Sequence, residues 1–415
     1  MNRLGRGSAI CAAPVLTGLY AGATHFGGTL WPWRPVMVDL EVYRQAGGVL
    51  LAGGDFYALP GQLQFLYPPF AAVLSAPLAA LPDWSVQIGW TVAGVLAILA
   101  VLHRGGLHGW ALSLVGCAVV YVVEPVRETL AFGQLGIFLV ALVYLDLAPG
   151  PRVFRRRLLP PGVLTALATA IKLTPAIFVV YLVLVRRWRA AAVTVVTGLL
   201  VTLVSAVVTP RASREFWGRL AHGDTGLGHS IIYATNQSVL ADVVRVAGLG
   251  SRPTLVGLGL SAVVALLGVW AALLWHRLGD ERLALSLCGV AGLLASPVSW
   301  LHHFVWVVPL ALSLVERRGV ASAGVGPVGR RLPGALVALG WLFVGWVIVS
   351  PFRRLPNGGD LELLWTPAQN LLASVTALLG VALLLVGVVA AQRRRLAIEA
   401  VRVPLAQSPG VAQSG

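Results

Sequence analysis

The chain has 415 residues, of which 57% are hydrophobic and only 11% are charged. Soluble globular proteins are about 45–50% apolar and about 25% charged, so this composition excludes a soluble protein and predicts an all-α integral membrane protein. The formal net charge of +15 comes from arginine, because Lys172 is the only lysine. In a membrane protein, arginine-rich cytoplasmic loops explain such a charge better than nucleic-acid binding does.

The apolar stretches predict a polytopic protein. A helix needs about 20 apolar residues to cross a bilayer. The predicted spans are, in chain order, 9–27, 84–103, 109–124, 132–149, 190–208, 254–276, 283–299, 333–350 and 369–391, with a shorter stretch after His303 to Val315. Together with two ambiguous segments they predict about 11–13 transmembrane helices. One membrane domain is expected over residues 1–395, followed by a cytoplasmic tail, 396–415, that is expected to be disordered.

The arginines predict the orientation, because loops rich in Lys and Arg stay in the cytoplasm. Both termini and the arginine-rich loop 152–157 are predicted inside the cell. The outer loops are then 28–83, 209–253 and 351–368. Most acidic residues fall in these outer loops, which separates them from the arginines of the inner loops.

The same rule interprets the two ambiguous segments. Segment 160–185 lies between two arginine-rich loops, so it should enter the membrane and return as two short helices with Lys172 at their outer tip. Segment 66–82 contains four prolines and is predicted to be a re-entrant or surface helix.

Polar side chains collect in the segments predicted to lie outside. Asp39 and Tyr43 fall on one face of a short helix, and Glu41 and Arg44 are spaced for an ion pair on it. An alternative explains these charges equally well: the helix lies beside the membrane in contact with solvent and has no part in a functional site. Placing the charged side chain of Lys172 inside an apolar segment costs free energy, which favours a functional role such as binding phosphate. The alternative is that its charged end reaches the membrane–water interface.

Three further groups are candidates. His302 and His303 follow a Ser-Pro break, and adjacent histidines cannot share one helix face; the alternative for them is an interfacial position. Asn236 and Gln237 in the outer loop 209–253 have amides suited to hydroxyl or sugar groups. Gln134 begins a predicted helix on the outer side.

Six segments in this order resemble glycosyltransferase family 87. They are DLEVYRQAG, GGDFYALPGQLQFLYPPFAAVLSAPLAALP, GQLGIFLVALVYLDLA, AIKLTPAIFVVYLVLVRRWRA, NQSVLADVVR and SPVSWLHHFVWVVP, and they cover roughly residues 35 to 315. The resemblance implies the GT-C fold and a polyprenyl-phosphate-sugar donor. The family includes actinobacterial α-1,2-mannosyltransferases that build lipoglycans of the cell envelope. One departure is Leu301, where many members have a polar residue.

The resemblance also implies roles for residues. Asp39 would be the general base for an inverting transfer of mannose to a hydroxyl of a mannoside or lipoglycan acceptor. The donor phosphate would be bound by Lys172, His302, His303 and Arg127. The substrate-binding residues would be Glu41, Tyr43, Arg44, Tyr67, Gln134, Asn236, Gln237 and Trp300. The enzyme would lie in the plasma membrane with its active site on the extracytoplasmic side.

No cofactor, metal ion, nucleic acid or protein partner is expected. The sequence has no glycine-rich phosphate loop and no Asp-x-Asp pair for a metal-bound nucleotide sugar. Three alternatives stay open at this stage. They are an arabinofuranosyltransferase that uses polyprenyl-phosphate arabinose, a transporter or flippase of a lipid-linked sugar, and a structural subunit of an envelope-synthesis complex.

Overall fold

A computed structural model describes residues 3–59, 63–153, 156–222, 228–315 and 332–402. These residues form α-helices and short 3₁₀ turns, and no strand occurs among them. The helices are α1 (Arg3–Thr24), α2 (Val38–Leu51), α3 (Pro69–Ala79), α4 (Asp83–Arg104), α5 (Gly109–Val122), α6 (Glu124–Phe132), α7 (Gly136–Leu147), α8 (Val163–Ile171), α9 (Ile177–Leu184), α10 (Trp188–Val208), α11 (Pro210–Ala221), α12 (Val239–Ala247), α13 (Ser251–Arg277), α14 (Glu281–Ala295), α15 (Val307–Leu314), α16 (Gly334–Val349) and α17 (Pro367–Arg402). The predicted all-α membrane protein is confirmed.

Within the described residues, six helices are long and apolar enough to cross a membrane: α1, α4, α10, α13, α16 and α17. A seventh span results if α5 and α6, which meet at a bend of 74°, are counted together. Four shorter apolar helices lie among them, at Pro69–Ala79, Gly136–Leu147, Thr174–Leu184 and Leu301–Leu314.

Two predicted spans are shorter in the structure than in the sequence analysis. The stretch 132–149 forms α7 with 12 residues, and 283–299 forms α14 with 15. The residue that follows each helix precedes a proline: Ala148 before Pro149 and Ser296 before Pro297 both have extended backbones. A proline disfavours the helical conformation of the residue before it, which explains both early ends.

The two ambiguous segments form short helices, as predicted; their placement in the membrane and the outer position of Lys172 stay predictions. Segment 66–82 contains only the 11-residue α3, too short to cross a bilayer that needs about 17 residues or more. Segment 160–185 forms two short helices, α8 and α9, and the chain between them changes direction at Lys172, whose backbone is extended. At the other end of the chain, α17 continues past residue 395 to Arg402; the rest of the predicted tail lies outside the described residues.

Helix α14 is the centre of the bundle, since every residue from Glu281 to Leu294 is buried. A helix that is apolar on all sides is expected in such a position. The short helices α9 and α15 pack on α14, and α7 packs on α8 and on the 301–306 turn that carries the histidines. This arrangement brings Gln134, Lys172 and the histidine pair toward one region.

The short helix α2 is held against α6 by close backbone packing. Met37, just before α2, donates its N–H to the carbonyl of Ala131 at 2.8 Å. Gly133 ends α6 with a φ of +68°, and a Cβ there would lie 2.4 Å from the Cβ of Leu40. Glycine is required at such a position. The contact places Gln134, the next residue, beside the first turns of α2.

Candidate active site

The polar face of α2 meets a hydrogen-bonded group of two tyrosines and an amide. The hydroxyl of Tyr43 donates to Oε1 of Gln134 at 2.9 Å, and the hydroxyl of Tyr67 lies 3.2 Å from the same oxygen. The two hydroxyls are 2.9 Å apart. Because Oε1 is occupied by hydroxyl donors, the amide NH₂ of Gln134 is the end that faces Asp39, one turn before Tyr43 on α2.

Asp39 lies on α2, which is not one of the membrane-spanning helices, and its environment changes its acidity. Burial raises the pKa of the Asp39 carboxyl to about 6, although a hydrogen bond from Gln134 and the charge of Lys172 both act to lower it. A carboxylate in this range is ionised at pH 7 and still basic enough to accept a proton in a reaction.

Lys172 contacts the second histidine of the pair. Its Nζ lies 2.8 Å from Nε2 of His303 and 5.4 Å from the centre of the Tyr67 ring. No carboxylate of the described residues forms an ion pair with Lys172 within 4.0 Å, although Asp39 is near enough to act on it through charge. An ammonium group without a paired carboxylate is suited to binding an anion.

The two histidines point in different directions, as their adjacency predicted. Their rings are 4.6 Å apart and nearly perpendicular, at 88°. His303 is oriented by the backbone N–H of Trp300, which donates to its Nδ1 at 3.2 Å. His302 faces α6 instead, with its Nδ1 3.9 Å from Oε2 of Glu128. Its Nε2 is buried without a hydrogen-bond partner among the described residues.

A group of charged residues lies beyond His302, and of its members only Arg127 was predicted to belong to the site. Glu124 accepts hydrogen bonds from Arg127 and Arg353, and His25 lies 3.2 Å from it. Arg353 also lies 3.7 Å from Glu128. The sequence signal for this group was the motif Glu-Pro-Val-Arg-Glu at 124–128, in which Glu124 and Arg127 are three residues apart, a spacing that suits an ion pair on one helix.

The structure brings six predicted residues together: Asp39, Tyr43, Tyr67, Gln134, Lys172 and His303, with His302 on the far side of His303. Arg127 is engaged by Glu124. Glu41 and Arg44 lie away from this group, where Arg44 pairs with both Glu41 and Asp83 and donates to the carbonyls of Leu78 and Leu81. This contact joins α2 to the end of α3.

The predicted amides Asn236 and Gln237 are buried and bond to the backbone. Nδ2 of Asn236 donates to the carbonyl of Ile231 at 2.8 Å, and its Oδ1 accepts from the N–H of Ser299 at 2.9 Å. Nε2 of Gln237 donates to the carbonyl of Ala234 at 2.8 Å. The second donor of Asn236 Nδ2 bonds to the carbonyl of Pro297 at 3.4 Å. These bonds fix the loop before α12 to the segment that carries Trp300 and the histidines, and they leave the Asn236 side chain no free donor for a sugar.

A narrow apolar groove with a volume of about 40 Å³ includes Lys172 and His303 in its lining. Its other lining residues are Gly136, Leu139, Val140, Val143, Thr174, Pro175, Ile177, Phe178, Gly289, Gly292, Leu293 and Trp306. Glycine allows Trp306 to lie directly on α14, because a Cβ at Gly289 would be 2.2 Å from the indole ring. The lining of the groove therefore combines apolar side chains with one ammonium group and one imidazole.

The described residues contain no group of three or more His, Cys, Asp or Glu side chains that is placed to hold a metal ion. The expectation that the enzyme works without a metal stays a prediction.

Comparison with known sequences identifies the family. The profile of glycosyltransferase family 87 matches residues 65–297, more than half of the chain. The chain is a member of this family. The family-87 match covers Tyr67, Gln134 and Lys172, whereas Asp39 and the histidine pair lie outside it. No solved structure matches the chain significantly.

Relatives of this family-87 chain extend the likeness over most of its length. A polyprenol-phosphate-mannose-dependent α-(1-2)-phosphatidylinositol mannoside mannosyltransferase of Mycobacterium tuberculosis is 30% identical over 396 residues, which cover 88% of this chain and 87% of that protein. A pentamannoside mannosyltransferase of the same species is 34% identical over 82% of this chain and 77% of its own. A mannosyltransferase of Mycolicibacterium smegmatis is 32% identical, over 80% of each chain. The protein is a membrane glycosyltransferase.

Proposed function

We propose that the protein transfers a mannosyl residue from polyprenyl-phosphate mannose to a hydroxyl group of a mannoside or lipoglycan acceptor. The observation that carries this proposal is that Lys172 and His303, which contact each other near Asp39, also line the apolar groove. A lipid-phosphate donor requires a cation for its phosphate and an apolar surface for its chain, and these lie side by side here. The names of the mycobacterial relatives support the sugar and the donor.

The residues suit a displacement at the anomeric carbon. Asp39 accepts the proton of the acceptor hydroxyl as its oxygen attacks, and the polyprenyl phosphate leaves from the opposite face, which inverts the configuration. The leaving phosphate already carries charge and needs no proton donor, so the lysine and imidazole need only stabilise the charge that develops on it. One base is sufficient for this single displacement, in contrast to the paired carboxylates of glycoside hydrolysis.

Tyr43, Tyr67 and Gln134 have supporting roles in this mechanism. Their hydroxyl and amide groups hold each other and direct the Gln134 NH₂ toward the carboxylate of Asp39. The aromatic face of Tyr67 lies against the ammonium of Lys172, a favourable cation–π arrangement. The base and the phosphate-binding cation are thereby fixed relative to each other.

The test is a transfer assay with purified protein in lipid nanodiscs, synthetic polyprenyl-phosphate mannose and an oligomannoside acceptor. The variant Asp39→Asn should lower the rate about 10²- to 10⁴-fold, the range that general bases contribute. Asp55→Asn is the matched control, because Asp55 is an exposed acid that bonds the backbone N–H of Tyr57 in the same predicted outer loop. Full transfer by Asp39→Asn would contradict the assignment of the base.

The same assay separates the alternative functions. Transfer from polyprenyl-phosphate arabinose, with none from the mannose donor, would replace the proposed sugar. Movement of the donor across a sealed vesicle without product would instead indicate a flippase. The configuration of the product's anomeric carbon, read by NMR, tests inversion.

We also propose that the active site faces the extracytoplasmic side of the plasma membrane. The arginine-rich loops support this orientation through the positive-inside rule. Single cysteines placed at Asp55 and at Arg277 in a cysteine-free variant test it. A membrane-impermeant maleimide should label the first from outside intact cells and the second only after the membrane is opened, and the reverse pattern would contradict the proposal.

A further inference from the structure

A second cavity lies at the end of the bundle away from α2. Helix α4 begins at Asp83, which pairs with Arg44 of α2, and ends at Arg104 in this cavity. Its 22 residues span about 33 Å at about 1.5 Å per residue. The cavity is therefore on the opposite face of the protein from the helix that carries Asp39.

The cavity is lined by arginine side chains and has a volume of about 610 Å³. The arginines are Arg104, Arg152, Arg157, Arg186, Arg187 and Arg189, and the two acids in the lining are Asp146 and Glu281. Six guanidinium groups against two carboxylates leave four formal positive charges in one concave space. Pockets for small ligands are typically about 300–1,000 Å³, so the cavity has room for a ligand of several phosphate groups.

Both acids are already engaged by groups of the protein. One oxygen of Asp146 receives Arg157, and the other receives the N–H of Gly162 at 2.9 Å and both donors of Thr165 at 3.0 and 2.8 Å. Glu281 accepts from Tyr181 at 2.9 Å and pairs with His276 and with Arg187 at 3.0 Å. Neither acid has the capacity to neutralise further arginines.

Three of the arginines are left without partners. The side chains of Arg152, Arg186 and Arg189 are exposed at the cavity, and they form no hydrogen bond or ion pair with any other residue that the structure describes. The Nε of Arg104 is buried without a partner among those residues. A buried donor without an acceptor is costly unless a ligand supplies one.

The start of α10 adds backbone donors to the same space. Trp188, Arg189 and Ala190, the first residues of this 21-residue helix, line the cavity. Arg187 precedes them and provides no side-chain cap. The first N–H groups of a helix lack partners within it and favour an anion at that end.

We propose that this cavity binds a phosphate-bearing ligand, either the headgroup of an anionic lipid or a soluble polyphosphate. Arg186 and Arg189 hold its phosphate oxygens by charge-assisted hydrogen bonds, together with the free N–H groups of α10. The ligand is distinct from the donor sugar-phosphate, because the apolar groove and Lys172 lie at the other end of α8.

The test uses the full-length protein in zwitterionic nanodiscs with two probes. Pyrophosphate binding is measured by calorimetry, and lipid binding by native mass spectrometry after phosphatidylglycerol is added to the nanodiscs. The double variant Arg186→Gln/Arg189→Gln removes two of the unpartnered charges. Arg277→Gln/Arg393→Gln is the matched control, because both arginines are exposed and neither lines the cavity.

We expect one probe to bind with a stoichiometry of one. Each lost contact to a charged group weakens binding about tenfold, so the cavity variant should bind about a hundredfold more weakly while the control binds as the wild type does. Pyrophosphate binding indicates a soluble ligand, and retention of the lipid alone indicates a headgroup. The proposal fails if neither probe binds, or if both double variants lose binding equally while their thermal unfolding is unchanged.

Discussion

The variant Gln134→Leu tests whether the Gln134 amide sets the acidity of Asp39. The hydrogen bond from Gln134 lowers the pKa of Asp39 against the effect of burial, and the balance is about 6. Leucine has a similar volume and cannot donate. The hydroxyls of Tyr43 and Tyr67 keep each other as partners at 2.9 Å, so the surrounding group retains its own bond.

The magnitude follows from the strength of one hydrogen bond to a charged group, about 1.5–3 kcal/mol. One pKa unit corresponds to about 1.4 kcal/mol, so the pKa of Asp39 should rise by one to two units, from about 6 to about 7–8. The base is active only when ionised. The ionised fraction at pH 7 therefore falls from about 0.9 to between about 0.5 and 0.1, and kcat/KM should fall about two- to tenfold at that pH and recover near pH 9.

The measurement is the pH profile of kcat/KM for mannosyl transfer, whose acidic limb reports the free enzyme. In the wild type the rate should rise with pH through about 6, and in the variant through a pH one to two units higher. Gln45→Leu is the control, because Gln45 is exposed on α2, the helix that carries Asp39, and donates a hydrogen bond to Glu41. A uniform loss of rate with an unmoved acidic limb would refute the reasoning.

Three further substitutions test other parts of the structure. Gly289→Ala places a Cβ 2.2 Å from the Trp306 ring, which should push the indole into the groove and raise the KM for the lipid donor several-fold; an unchanged KM would contradict the groove's role. Arg353→Gln removes a partner of the buried Glu124 and should lower the free energy of unfolding by about 1–3 kcal/mol, measured by thermal unfolding. An unchanged free energy of unfolding would show that solvent replaces this bond. Asn236→Ala leaves two backbone groups unpaired and should destabilise by about 2–4 kcal/mol. A higher acceptor KM with unchanged unfolding would instead support sugar binding by Asn236.

The membrane character and the break at Lys172 could be predicted because each has a strong local signal. Long apolar stretches predict helices, and a single lysine between two arginine-rich loops predicts a turn inside the membrane segment. The early ends of α7 and α14 were missed because the hydropathy of a stretch does not include the effect of Pro149 and Pro297 on the preceding residue.

The composition of the site was less accessible from sequence. Asp39, Lys172 and His303 come from three distant segments, and only a resemblance to a family joined them before the structure did. Glu124, Glu128 and Arg353 were overlooked, because the contact between the 351–354 turn and α6 is a matter of tertiary packing. The backbone partners of Asn236 could not be predicted, since an amide on a loop gives no sequence signal of whether it bonds to backbone groups; its role in sugar binding stays a prediction.

The position of Lys172 depends on a residue at the other end of α8. Asp146 of α7 holds the first turn of α8 with three hydrogen bonds, and this nine-residue helix ends at Lys172. An alanine scan scored by activity alone would therefore misassign Asp146 as a catalytic acid. The loss of Asp146 should displace Lys172, about 14 Å away, and so lower the activity, although Asp146 does not contact the substrate in the proposed mechanism.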